Sequence, residues 1–173
     1  MTFDPTIFSG KIEKSEIFMH LILDEIDVLI LRDNNISFRT LAEQCQVDFI
    51  AVRKYGQISF RHFASMDSYD FINQNGLHSK DPNSILDLGD GVYVIRSKYE
   101  DVSGYDNVLN WLGEHLDHHT KEMLLVEGTY DGEYHECVYG YQHEGYIVLK
   151  TPVPAEKIEN ISDVDVDLMF GYY

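Results

Sequence analysis

The chain has 173 residues, enough for one domain that buries about two-thirds of its unfolded surface around a single core. Hydrophobic residues make up 44% of it and aromatic residues 13%, which excludes an intrinsically disordered chain. A formal net charge of -17 repels nucleic acid phosphates and anionic membrane surfaces, so we expect no direct nucleic acid partner and no membrane contact.

The cysteines and the N-terminus bear on the cellular compartment. Cys45 and Cys137 lie far apart without a CxxC spacing, so they indicate neither a disulfide framework nor a thiolate zinc site, and we expect buried apolar thiols. The N-terminus lacks the basic and then apolar pattern of a signal peptide, and no apolar run approaches about 18 residues. We therefore expect a cytoplasmic protein.

Residues 1–56 are expected to form a helical N-terminal segment or subdomain. Apolar residues recur at helical spacing over 15–32, which predicts one amphipathic helix. Residues 33–37 end this helix, and residues 37–47 predict a second one.

The stretch after the second helix has two interpretations. A helix-turn-helix would place its small and apolar residues at Leu41, Ala42, Val47 and Val52, and its basic residues at Arg53 and Lys54. Alternatively, 48–55 is a strand that turns at Gly56 into another strand over 58–63. The β-branched and aromatic residues favour the strand, and the net charge disfavours DNA binding.

Residues 57–173 are expected to form one domain of strands and helices. The expected elements are a helix over 65–76, a loop over 76–91, a strand over 91–99, a helix over 102–120, strands over 121–130 and 133–141, a strand over 143–154, and an acidic tail that closes the fold as a strand or stays partly mobile. Ser65 or Asp67 is expected to cap the first helix and Gly76 to end it. The residues of that helix expected to pack are Met66, Tyr69, Phe71 and Ile72. Asp131-Gly132 predicts a hairpin turn.

Three of the predicted strands carry a polar side chain that is able to do chemistry. His62 lies in FRHFAS, Tyr93 in LGDGVYVI and Glu144 in HEGYIVL. Each of these residue types is ordinary in a sheet when taken singly. The functional hypothesis therefore depends on their order and on their strand context.

The order of these segments resembles the ADP-ribosyltransferase family, in the branch with a His-Tyr-Glu triad that includes diphtheria-toxin-like toxins and poly(ADP-ribose) polymerases. FRHFAS, with a helix and the Gly76-Leu77 turn after it, is similar to the opening of that family. GDGVYVI is similar to its glycine-glycine-x-tyrosine strand, and HEGYIVLKTPVPAEKI is similar to its closing glutamate strand. The resemblance covers 58–158 and implies an α+β fold of two packed, mostly antiparallel sheets with flanking helices.

The resemblance also implies NAD as the cofactor and transfer of ADP-ribose to a protein or other macromolecular acceptor. In that family pattern His62 would hold a ribose hydroxyl, while Tyr93 would stack on the nicotinamide ring and Tyr105 would close its other face. Glu144 would stabilise the positive, oxocarbenium-like centre that forms as nicotinamide departs.

The first strand departs from the family pattern. Phe63 follows His62 where the family has a glycine, so that only the Phe63 backbone amide is left to bind the nicotinamide amide. Arg61 offers a second assignment, because an arginine-type branch uses a strand arginine, but the Ser-Thr-Ser strand of that branch is not evident. NAD is an anion, and the basic candidates for its pyrophosphate are Arg61, Lys80, Arg96 and Lys98.

Two further features have functional alternatives. His115, His118 and His119 share one face of a predicted helix, but no other ligand group completes a metal site, so we expect a solvated face and no metal. The acidity of the chain either keeps it soluble or serves a non-enzymatic binding protein that imitates nucleic acid on a basic partner. This second function class is the alternative to the enzyme.

Overall fold

The computed structural model describes residues 10–14, 18–79, 91–97, 122–140 and 143–165. Within these ranges the chain has a mixed α+β fold built on a mostly antiparallel seven-stranded sheet, which confirms the predicted fold class at this level. None of the helices in this part of the chain is both long and apolar enough to cross a membrane.

The described elements follow one another with short connections in the N-terminal half. The strands are Lys11–Lys14 (β1), Met19–Asp24 (β2), Phe49–Ala64 (β3), Val92–Arg96 (β4), Glu122–Tyr139 (β5), Ile147–Leu149 (β6) and Ile158–Asp165 (β7). The α-helices are Glu25–Asp33 (α1), Phe38–Cys45 (α2) and Tyr69–Asn75 (α3), and 3-10 turns span Met66–Ser68 and Ala155–Lys157. The strand order is β1-β2-β3-β4-β6-β5-β7, with β2 and β3 parallel.

Four of these strands close into a ring. β3 pairs with both β4 and β5, and β6 pairs with the same two strands. β3 and β5 are 16 and 18 residues long, so each has different partners at its two ends. The described strands therefore form one sheet that folds back on itself, where the sequence analysis expected two packed sheets. Closure pairs backbone groups that an open sheet edge would leave unpaired.

The larger apolar cluster lies on one face of the ring, and we call it the ring core. Its buried members are Ile58, Phe60, Ile72, Leu77, Val92, Val94, Leu124, Val126, Tyr130, Tyr134, Ile147, Leu149 and Val153. Ile72 comes from α3, and Leu77 and Val153 pair as an isolated bridge. Residues far apart in the sequence thus contribute to one core, as long-range strand pairing requires.

The N-terminal residues add two strands and two helices to this sheet. Helix α1 begins after Asp24, whose backbone N–H donates to Asp27 Oδ2 at 2.9 Å, and α2 begins after Ser37, whose Oγ accepts from the Thr40 backbone N–H at 3.1 Å. Helix α1 packs on β2 and β3, and helix α2 packs on β3 and β5. The predicted second helix and the break at 33–37 are confirmed.

The single helix predicted over 15–32 is wrong. Its described part forms β2 and then α1, with the change at Asp24. The same apolar spacing suits a helix or a buried strand, and β2 is selected by hydrogen bonding to β1 on one side and to β3 on the other. The predicted boundary between residues 56 and 57 also falls inside β3, so the sheet runs across it.

Neither predicted strand turn is present. Gly56 and Gly132 lie inside β3 and β5 and face each other in the ladder, with φ angles of 146° and 154°. The residues on either side of Asp131-Gly132 pair with β3 and not with one another. A hairpin signal asks for positive φ, and here two facing glycines inside a long paired ribbon meet that requirement.

The other predictions for the described elements have mixed outcomes. Helix α3 follows Met66–Ser68 and ends before Gly76, and β4 forms as predicted, as does a closing strand, β7. Of the four residues expected to pack from this helix, Ile72 is buried and Met66 packs on the ring core, whereas Tyr69 and Phe71 are exposed. The reason is that α3 is short and only one of its faces meets the sheet.

The residues of the helix-turn-helix alternative have other places. Arg53 and Lys54 lie in β3 and not in a reading helix. Arg53 Nη2 is 2.8 Å from Asp24 Oδ1, and Lys54 Nζ is 3.3 Å from Glu136 Oε1. Their charges are therefore balanced within the sheet, in line with the strand interpretation.

Candidate functional site

His62 and Tyr93 are neighbours in the structure. Nδ1 of His62 lies 2.6 Å from the backbone oxygen of Tyr93, a hydrogen-bond distance. The pairing of β3 with β4 covers only Phe60–Arg96 and Arg61–Ile95, so the two strands part at this point. The imidazole of His62 joins them where their ladder stops.

The side chains of His62 and Tyr93 nevertheless take opposite faces of the sheet. His62 stands opposite Val126, a ring-core residue, whereas Tyr93 lies between the ring-core residues Val92 and Val94. Side chains alternate along a strand, so Tyr93 points away from the ring core. The expectation that both side chains line one pocket is therefore corrected, and the physical reason is the register of β3 and β4.

Tyr93 packs on a second, smaller cluster on the outer face of the ring. Its buried members are Phe49, Cys137 and Val148, and Phe18, Tyr93 and Tyr146 pack against them half-buried. Arg61 and Phe63 flank His62 and so share the outer face with Tyr93 by strand alternation. Three of the predicted cofactor-binding residues are thus on one face, and His62 is on the other.

Glu144 lies in a turn and not on a strand as predicted. Hydrogen bonds from Cys137 N to Tyr146 O at 2.8 Å and from Gly145 N to Cys137 O at 3.0 Å form this turn between β5 and β6. Only three residues remain for β6 before Thr151 and the prolines, so the strand is shorter than predicted. Glu144 is half-buried, and it lies just before β6, the strand that pairs with β4 at Tyr93.

Electrostatics link Glu144 to the cluster under Tyr93. Burial raises the pKa of the Cys137 thiol to about 12, and the negative charge of Glu144 contributes to the same shift. The thiol is therefore neutral and does not serve as a nucleophile at neutral pH. Glu144 lies near enough to Cys137 for its charge to act on the thiol.

An aromatic group surrounds the same turn. The ring centroids of His143 and Phe49 are 4.6 Å apart, those of His143 and Tyr146 are 5.6 Å apart, and those of Phe18 and Phe49 are 5.0 Å apart. Tyr146 was not predicted from the sequence as a site residue. The only signal for it was its position two residues after Glu144, in a strand where aromatic residues are ordinary.

Gly91, two residues before Tyr93, has a packing role. A Cβ at Gly91 would lie 2.4 Å from Val148 Cγ1 and 2.5 Å from the backbone oxygen of Leu149. Only glycine allows β4 to approach β6 so closely, and its φ of 151° also suits glycine. The glycine of GDGVYVI therefore has a structural explanation that is independent of any ligand.

Arg96, a candidate for the pyrophosphate of NAD, already has a carboxylate partner. Its Nη2 is 2.5 Å from Glu136 Oε2, and Lys54 contacts the other oxygen of the same carboxylate. Burial by itself would lower the pKa of Arg96, but the hydrogen bond and charge of Glu136 outweigh it and the pKa is raised. Arg96 is therefore a fixed cation, held by the sheet.

Several predicted site residues lie outside the described residues: Tyr105, Lys80, Lys98, His115, His118 and His119. Within the ranges that the structure does describe, no group of three or more His, Cys, Asp or Glu side chains is arranged to hold a metal ion. No family model matches the chain, and no curated protein or solved structure is significantly similar to it.

Proposed function

We propose that the chain is an NAD-dependent ADP-ribosyltransferase that modifies a protein or other macromolecular acceptor. The observation that carries this proposal is the 2.6 Å contact between His62 Nδ1 and the Tyr93 backbone oxygen, because it joins the two segments with the strongest family resemblance. The third segment is adjacent, since Tyr93 pairs with Val148 and Leu77 pairs with Val153. The segments are therefore neighbours, as a shared site requires.

The proposed nicotinamide position is the outer face where β3 and β4 part. Tyr93 would stack on the nicotinamide ring, and the Phe63 backbone amide would bind its carboxamide. Arg61, on the same face, supplies positive charge for the phosphates of an anionic cofactor. His62 then acts as a positioning residue, because its ring holds the Tyr93 backbone from the opposite side.

Glu144 is the proposed catalytic carboxylate. When the bond between nicotinamide and the ribose breaks, the bonding electron pair leaves with nicotinamide and positive charge develops on the ribose. A fixed carboxylate stabilises that charge, and a nucleophilic atom of the acceptor then forms the new bond and gives up its proton to solvent. The requirement on this site is that Glu144 reaches a ribose whose nicotinamide is stacked on Tyr93.

The test is labelling with radioactive NAD in a cell lysate. The wild-type protein is expected to label an acceptor, and Glu144→Gln is expected to reduce the rate on the order of 100-fold, because the carboxylate acts on developing charge. Glu156→Gln is the matched control, since Glu156 is an exposed carboxylate in the turn before β7. Absence of wild-type labelling, or equal labelling by Glu144→Gln, would contradict the proposal.

The second candidate is a non-enzymatic protein that binds a basic partner, and surface charge favours it. Among the described side chains, the exposed carboxylates are Glu13, Glu25, Asp33, Glu43, Asp48, Asp67, Asp70, Glu122, Asp131, Glu156, Glu159 and Asp163. Among the basic side chains whose exposure the structure describes, the exposed ones are Arg32, Arg39 and Lys157. The negative charge of this surface is complementary to the positive surface of a basic nucleic-acid-binding protein.

The two candidates differ in their dependence on salt and on Glu144. Retention of a basic nucleic-acid-binding protein on immobilised chain should fall steeply with added salt if charge drives binding. Binding that salt abolishes and Glu144→Gln leaves unchanged, together with no NAD labelling, would favour the binding protein. Labelling that depends on Glu144 would favour the enzyme.

A further inference from the structure

Two buried histidines outside the proposed site have unusual surroundings. The exposed fractions of His20 and His135 are 2% and 7%. Both ring nitrogens of His20 and Nε2 of His135 are buried without a hydrogen-bond partner among the described residues. Buried polar atoms are nearly always hydrogen-bonded, so this pair requires an explanation.

Each histidine lies beside one carboxylate. Nε2 of His20 is 3.5 Å from Glu13 Oε2, and Nε2 of His135 is 3.5 Å from Glu133 Oε1. Both separations are longer than an ordinary N–H···O hydrogen bond. No group of described side chains is arranged to bind a metal ion. The carboxylates beside the two rings are therefore interpreted as charged neighbours and not as metal ligands.

Three more charged groups complete what we call the histidine cluster. Arg53 stands opposite His135 in the ladder. Its Nη2 is 2.8 Å from Asp24 Oδ1, and its Nε is 4.0 Å from Glu133 Oε1. Lys150, next to β6, acts on both histidines with its positive charge. The charged groups that face the two rings within the described residues are therefore Glu13, Asp24, Arg53, Glu133 and Lys150.

The balance of these effects favours neutral rings. Burial lowers the pKa of His20 and of His135, and Lys150 lowers both further. Glu13 opposes the shift at His20 and Glu133 opposes it at His135, but the pKa values remain lowered. An exposed histidine has a pKa of about 6.5. Below that pH the unfolded chain takes up protons that the buried rings do not, so the folded chain loses stability as the pH falls below about 6.5 and keeps it above that pH.

Strand β1 is the element that such a loss would affect first. It has four residues, it is the terminal strand in the sheet order, and it pairs with β2 alone within the described chain. Glu13 of β1 stands opposite His20 and supplies the carboxylate next to that ring. Separation of β1 from β2 would admit water to His20.

We propose that the histidine cluster is a pH switch, in which protonation of His20 below about pH 6.5 releases β1 from the sheet. The ring takes up a proton more readily in water than when β1 covers it, so acid favours the open state. Strand β3 and strand β5 stay paired, because their ladder extends over fifteen facing positions. The inference is independent of the enzymatic proposal.

The experiment is amide hydrogen exchange by NMR on the full chain between pH 7.5 and 5.0, corrected for the intrinsic exchange rates. We expect protection of the β1 and β2 amides to decrease below pH 6.5, by up to about tenfold per pH unit for one proton taken up. Amides at the centre of the β3–β5 ladder should lose less protection than those of β1, because they exchange only when the whole fold opens. Equal protection of β1 at pH 7.5 and 5.0 would overturn the proposal.

Two variants assign the effect to His20. In His20→Gln the acid-dependent loss of protection in β1 should disappear; persistence of the wild-type loss would overturn the proposal. Replacing the buried His20 also perturbs folding. Glu13→Gln therefore provides a second measurement, at a side chain that is half-exposed. Without this carboxylate the imidazole of His20 should titrate at lower pH than in the wild type, and Glu43→Gln, on the exposed face of α2, should not change it.

Discussion

The ring core and the histidine cluster use the two faces of β5 in different ways. Tyr134 belongs to the ring core and its neighbour His135 to the histidine cluster, so one strand serves both. The ring core is apolar except for its tyrosines, and the Tyr130 hydroxyl donates to the Glu133 backbone oxygen. The histidine cluster buries ring nitrogens beside charges.

This difference shows where the fold is robust and where it responds to conditions. Apolar burial contributes about 25 cal/mol per Å² and does not depend on pH. Buried polar groups cost free energy unless they are hydrogen-bonded, and the cost changes with protonation. We therefore expect substitutions in the ring core to lower stability at every pH and changes in the histidine cluster to alter its pH dependence.

The largest expected effect is in the ring core. Phe60 is fully buried between β4 and β5, so Phe60→Ala should cost about 3–5 kcal/mol of unfolding free energy through lost burial and a cavity. Tyr55→Ala on the same strand is the control, because Tyr55 is 70% exposed and should change stability by about 0.5 kcal/mol or less. Urea denaturation measures both. A Phe60 variant as stable as the Tyr55 variant would contradict this account of the core.

Substitutions at the facing glycines Gly56 and Gly132 should be intermediate in effect. Gly132→Ala places a Cβ 3.0 Å from the Tyr130 hydroxyl oxygen at a φ of 154°, and should cost about 1–3 kcal/mol. Gly56→Ala, directly opposite, has a similar φ but no atom within 4 Å, so only backbone strain opposes it. The Gly132 variant should therefore unfold at lower urea concentration than the Gly56 variant. The reverse order would show that Tyr130 does not restrict a side chain at position 132.

The smallest expected effect is the pH dependence contributed by His135. Its pKa is lowered in the folded protein by burial first and by Lys150 second, so the unfolded chain binds more protons below pH 6.5 and stability should fall there. The limiting slope is about 1.4 kcal/mol per pH unit for one proton. His135→Gln should remove this part of the slope between pH 7.5 and 5.5, as measured by urea denaturation. An unchanged slope would indicate that His135 titrates equally in both states.

Local chemistry explains the elements that the sequence predicted correctly. Ser37 caps α2 through its own side chain, and Gly76 ends α3 with a φ of 78°, which few other residues adopt readily. The apolar and β-branched run around Tyr93 forms β4 as expected. These signals depend on residues that are close in the sequence, so they do not require particular tertiary contacts.

The failures share a different cause. Residues 19–24 became a strand because β1 and β3 offered hydrogen bonds on both sides, and Asp131-Gly132 became part of β5 because β3 runs alongside it. The candidate site shows the same limit. His62 contacts the Tyr93 backbone, but the strand register places the two side chains on opposite faces, and Glu144 lies in a tight turn and not in the predicted strand.

The amino-acid sequence by itself determined the mixed α+β composition, the helix α2, the end of α3 at Gly76, the acidic composition and the candidate residues His62, Tyr93 and Glu144. Only the tertiary structure decided that the long strands close into a ring, that the two glycines face each other inside a ladder and that two histidines are buried among charges. The physical reason is that strand pairing depends on partners far away in the chain, and a shift of one residue in register reverses the face of every side chain.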